Sequence, residues 1–129
     1  METVKSRSLV RLSDTDLILA DPDEDILGRK VIDKTGEEIG QVESLFIDED
    51  ERRVRFLELG SGGRFGFGGE TRLIPTDAIW DITEESVVVG TSRDVITASP
   101  AYDPNLRNDE QYWVGLYGYY GYPPYWSQS

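Results

Sequence analysis

Between Asp25 and Val89 the chain alternates short apolar stretches with turn-forming residues. Val42, Ser44 and Phe46 alternate with Gln41, Glu43 and Leu45, and Val54 and Phe56 alternate with Arg53 and Arg55, a period of two that predicts half-buried strands. Asp33-Lys34-Thr35-Gly36 supplies a tight turn, because the Asp side chain bonds nearby backbone and Gly tolerates positive φ. Asp48-Glu49-Asp50-Glu51 reads as a charged hairpin connection, and Glu84 and Glu85 solvate a turn ahead of the β-branched run Val87-Val88-Val89. Six short strands with no long helix between them predict an all-β fold, a small antiparallel barrel or sandwich. Ile79 and Trp80 are expected to help close it. Leu17-Ile18-Leu19-Ala20 is either an extra edge strand or the first strand, stopped by Asp21-Pro22-Asp23-Glu24-Asp25. Thr91 and Asp94 signal a short helix over residues 92–99, ended by Pro100.

Beyond Ala101 the pattern changes. All seven tyrosines lie there, joined by Trp113 and Trp126. Leu106, Trp113, Leu116, Tyr117 and Tyr120 fall near helical spacing after Asp109-Glu110, so a helix reaching about Tyr117 is predicted before Gly118 and Gly121 weaken it. Tyrosine and tryptophan combine large apolar area with one polar atom, which suits interface anchors. Such a tail wraps its own barrel, waits for a partner or associates with itself. The first two of these choices also face Phe65 and Phe67 in the glycine-rich loop 60–69. That loop leads into another strand rather than a helix, so it lacks the geometry of a phosphate cradle.

Composition narrows the chemistry. At 129 residues the chain holds one compact core, and its net charge of −12 repels nucleic acid and anionic membrane; the acidity reads first as a means of staying dispersed, and second as suited to partners with basic patches. No Lys or Arg follows Arg107, which argues further against stacking on single-stranded nucleic acid. The chain contains neither Cys nor His, which excludes thiolate and Ser-His-Asp catalysis, histidine acid–base chemistry and the common zinc sites. The acidic runs 21–25 and 48–51 lack calcium-loop spacing and read as solvated turns. No catalytic residue, cofactor or metal is expected. The first residues are polar, and no stretch has the length of a membrane span, so the expectation is a cytoplasmic protein without membrane insertion.

The run Ile26-Leu27-Gly28-Arg29-Lys30-Val31, then Thr35-Gly36-Glu37-Glu38-Ile39-Gly40, the hairpin, the glycine-rich loop ending in Leu73-Ile74-Pro75 and the hairpin from Asp81-Ile82 to Val89 together resemble the PRC-barrel domain. That family is named for the cytoplasmic part of the photosynthetic reaction-centre H subunit, and it includes the C-terminal half of a ribosome maturation factor. The resemblance implies a small six-stranded barrel over residues 15–97, between a polar segment 1–14 and an aromatic, partly helical tail 98–129. It implies diverse roles: protein docking, tuning of electron or proton transfer beside a membrane complex, and ribosome assembly.

A non-enzymatic interaction or scaffold module is therefore expected, docking through a barrel face and the tail. Its partner-binding residues would be Phe65, Phe67, Tyr112, Trp113, Tyr117, Tyr119, Tyr120, Tyr122, Tyr125 and Trp126. Pairing of exposed strand edges makes a homodimer the natural self-association. The alternative is a regulator of electron or proton transfer, with the carboxylates of residues 48–51 relaying protons. The membrane helix that precedes the barrel in the reaction-centre subunit has no counterpart here.

Overall fold

The computed structural model describes residues 9–60 and 71–127. Seven strands form one strongly curled sheet: β1 (Val10–Arg11), β2 (Lys30–Ile32), β3 (Glu38–Ile47), β4 (Val54–Leu59), β5 (Arg72–Pro75), β6 (Ile79–Ile82) and β7 (Ser86–Val89). Their order is β5-β4-β3-β2-β7-β6, a six-stranded half-barrel, with β1 added beside the end of β3. The ten-residue β3 organises the rest. Its first residues pair with β2, its later ones with β4, and Phe46 and Ile47 also meet β1. One ladder departs from an all-antiparallel barrel: β2 and β7 run parallel, Val31 opposite Val87. The tight turn after β2 forms as expected, with Gly36 at φ 91°.

Strict alternation would place Val42, Ser44 and Phe46 on one face of β3. The structure divides them. Register shifts between Val42 and Ser44 and between Phe46 and Ile47 insert extra residues into the β3–β4 ladder, and each such bulge reverses which face the following side chains occupy. Val42, Leu45, Ile47, Val54 and Leu57 consequently fill the barrel interior, while Phe46 and Phe56 project to the opposite side. The central strand β4 is buried on both faces.

That second face is a core of its own. Phe46, Phe56 and Leu73 are covered by Leu9 and by α2 (Glu110–Tyr120), whose Trp113, Leu116 and Tyr117 are buried against them. Asp109 caps α2 by accepting the Gln111 N–H at 2.9 Å. At the other end Gly121 adopts φ 86°, while the Gly121 and Tyr122 N–H groups return to the carbonyls of Gly118 and Tyr117. This Schellman arrangement needs a residue free of a Cβ penalty at positive φ. The helix runs one residue short of Gly121, past the end at Tyr117 expected from sequence. Packing of its buried face outweighs the roughly 1 kcal/mol that each of Gly115 and Gly118 costs relative to alanine.

The shorter α1 (Arg93–Thr97) starts at Ser92, whose Oγ accepts the Val95 N–H at 3.3 Å. Leu17–Ala20 forms no strand, contrary to either reading of it. Leu17 and Leu19 instead rest on the barrel core, and Ala20 donates a single backbone bond to Arg52. The first strand lies earlier, at Val10–Arg11, within residues 1–14. Arg11 fastens it through a two-pronged pair with Glu58, both bonds 3.1 Å, while its guanidinium lies 5.4 Å from the Phe46 ring centre. Glu58 is only 4% exposed, so losing its cation leaves a buried carboxylate uncompensated. Because the Arg11 side chain is 30% exposed, Arg11→Ala is expected to cost about 2 kcal/mol, less than a fully buried pair. Adding Glu58→Leu should recover most of that loss in urea denaturation.

Candidate functional site

The aromatic residues singled out in the sequence fall into three groups. Trp113 and Tyr117 are fully buried in the second core, with Phe56 5.4 Å and 4.7 Å from their ring centres. The Trp113 indole N–H donates to the Arg107 carbonyl at 2.8 Å. Tyr112, Tyr120, Tyr122, Tyr125 and Trp126 are half-buried against the same core. Tyr119 is exposed, and its hydroxyl donates to the Val95 carbonyl, joining α2 to α1. Phe65 and Phe67 lie outside the described residues.

This seating determines what the tail presents outward. The Tyr112 hydroxyl accepts the Asp103 N–H at 3.3 Å. Tyr125 stacks under the Arg55 guanidinium at 4.4 Å and meets Trp126 edge-on at 5.2 Å. Burial pushes the Tyr120 phenol up to about 12 and the Tyr117 phenol higher still. Both stay neutral at physiological pH, so they act as packing groups.

The acidic runs are structural. Asp48 is buried, accepting the Glu51 N–H at 2.5 Å, the Arg53 N–H at 3.4 Å and the Arg55 Nε–H at 2.8 Å. It is therefore the anchor of its turn rather than a solvated acid, which corrects the sequence reading. Asp21 caps the turn at Pro22–Glu24. Glu24 reaches across to the Arg53 side chain and the Val54 N–H at 2.5 and 3.0 Å. Asp33 is likewise buried and accepts four bonds: from the Thr35 N–H and Oγ–H, the Glu37 N–H and the Arg93 N–H. Burial alone would raise its pKa, but these bonds hold it below the usual carboxylate value. Among the described residues no group of three acidic side chains is arranged to hold a metal ion.

Part of the exposed apolar surface lies outside the tail. Trp80 was expected to close the barrel, and Ile79 does pack on it, but Trp80 is 66% exposed. Val87 and Val89 point into the core, and Asp81 and Ile79 pair with Val88 and Val89, with a register shift between them. Trp80 is the extra residue of that bulge, and its indole lies across Gly90, where a Cβ would come within 2.2 Å of Nε1. Ile82 is exposed beside it. Ile79 and Ile82 border a groove of about 320 Å³, lined also by Thr76, Val54, Ile26 and the Arg53–Glu24 pair. A strict alternation rule could not have revealed Trp80, because the bulge is invisible in the sequence.

Among the described residues no helix is long and apolar enough to cross a membrane. No curated protein matches the chain. The model of the PRC-barrel domain matches residues 20–100, which span the sheet from the turn ahead of β2 to the end of α1, and the chain belongs to the PRC-barrel family.

Proposed function

We propose that this protein is a non-enzymatic interaction module that docks a protein partner through a barrel face and the outward side of its aromatic tail. PRC-barrel domains are typically non-catalytic and of the protein-interaction type. The observation that carries the reading to this chain is its outward aromatic rim: Tyr119 exposed and tied to the Val95 carbonyl, and Tyr122, Tyr125 and Trp126 half-buried against the second core beneath them. Rigid, amphipathic anchors of this kind give contact area at low entropic cost. Trp113 and Tyr117 serve the interface indirectly, by fixing α2. The alternative, proton relay by residues 48–51, gains no support from a site in which Asp48 is committed to Arg55 and to two backbone N–H groups.

The test compares wild-type bait with a Tyr119→Ala/Trp126→Ala variant in affinity capture from the source cells, with both baits first shown to have the same circular dichroism. A specific partner recovered about tenfold less by the variant supports the tail as an interface. Equal recovery by both baits removes the tail from the docking surface.

A further inference from the structure

The two ends of the sheet differ. At one end β5 is buried at every residue, and the segment after α1 runs alongside, Tyr102 donating to the Thr71 carbonyl. At the other end β6 has β7 as its sole ladder neighbour among the described residues, and Trp80, Asp81 and Ile82 are exposed. An uncovered strand edge presents backbone donors and acceptors to any extended chain that fits. Here the edge borders the groove floored by Ile26 and Val54, which are buried members of the barrel core.

Charge selects the occupant. From Leu73 to Ser92 the chain has no Lys or Arg, while Asp77, Asp81, Glu84 and Glu85 all fall in that stretch. The two arginines at the groove are already engaged, Arg53 by Glu24 at 2.5 Å and Arg55 by Asp48 at 2.8 Å. We propose that β6 accepts an extended segment of a partner protein as an added strand, one in which Lys or Arg alternates with aliphatic residues. This deepens the interaction-module reading and rests on it.

The two faces of β6 fit such an alternation. Ile79 and Ile82 lie opposite the core-facing Val89 and Val87, so the aliphatic residues of the added strand enter the groove. Asp81 lies opposite Val88, on the outer face with Trp80, so the basic residues meet a carboxylate and an indole ring. A second copy of this chain is a poor occupant. Two-fold pairing of β6 with itself would set the acidic stretch from Asp77 to Glu85 of one chain against that of the other, each chain carrying a net charge of −12.

The test is a nuclear magnetic resonance titration of the full chain with the peptide Lys-Val-Lys-Val-Lys-Val-Lys. Controls are Glu-Val-Glu-Val-Glu-Val-Glu and a peptide of the first composition with its lysines and valines in blocks. The expected result is that the alternating basic peptide slows amide exchange at Ile79–Ile82 about tenfold or more. Asp77→Lys/Asp81→Lys should weaken that binding about tenfold with the fold intact. Equal binding of the acidic or blocked peptide overturns the proposal, as does an absence of protection in β6. Protection of β6 by self-association without peptide overturns it in favour of a second copy. Peptide shifts confined to Tyr119 and Trp126 overturn the β6 site while leaving the module reading intact, which the capture experiment tests separately.

Discussion

Trp113→Ala is expected to lower stability by about 3–5 kcal/mol, the range for removing a large aromatic side chain from a core. The ring sits between Phe46 and Phe56, at 6.0 and 5.4 Å between centres, and Tyr112 packs edge-on at 5.0 Å. Its loss leaves a cavity at the centre of the second core and an Arg107 carbonyl without its indole donor. Trp113→Phe keeps much of the packing and loses that bond, so a cost of about 1–2 kcal/mol is expected. Ending the chain at Ser99 goes further. It uncovers Phe46, Phe56 and Leu73 together, an apolar patch of the kind that drives aggregation. The shortened chain should lose its cooperative urea transition or precipitate. An unchanged midpoint would show that the barrel stands alone.

Asp33→Ala is the second large effect, expected at about 3–5 kcal/mol because it leaves several buried donors without an acceptor. The carboxylate closes the β2–β3 turn through Thr35 and Glu37 and holds the start of α1 through the Arg93 N–H at 3.0 Å. One side chain thus links positions sixty residues apart. Its folded pKa is held below the unfolded value, near 3.9 for an aspartate, because the four bonds outweigh burial. The sign follows from linkage: the stabilisation is complete above the unfolded pKa and is lost as pH falls through the folded one. Urea midpoints should therefore drop between about pH 5 and pH 2 in the wild type. Asp33→Asn, which cannot ionise, should be less stable at neutral pH and lose less on acidification. A wild type and variant with parallel pH profiles would show that Asp33 carries no such linkage.

The strands were legible because their turns are chemically explicit: Asp33 to Gly36 and Glu84–Glu85 both fall between strands that the structure contains. Their faces were less so. A period-two pattern cannot register an inserted residue, so the bulges that separate Phe46 from Val42 and Phe56 from Val54 could not be foreseen. Nor could Trp80 be placed outside the barrel. β1 escaped notice because two residues are too short for periodicity, and its anchor, the Arg11–Glu58 pair, is non-local. For the tail, the spacing of Trp113, Leu116, Tyr117 and Tyr120 disclosed a helix but not its end, which lies beyond the expected Tyr117, at the Gly121 cap. The surface that receives a helix is not written in its own periodicity. Phe56 and Leu73 offered that surface only after the bulges turned Phe46 and Phe56 to the same side.

Native-state hydrogen exchange of the full chain tests most directly whether the barrel and its tail form one folded unit. If they do, the amides of α2 from Trp113 to Tyr117 exchange with the same free energy as those of Phe56 and Leu57 in β4, because both open only in global unfolding. If the α2 amides exchange through a separate, lower-energy opening while β4 stays protected, the tail is a detachable arm, and the second core is not part of the cooperative fold.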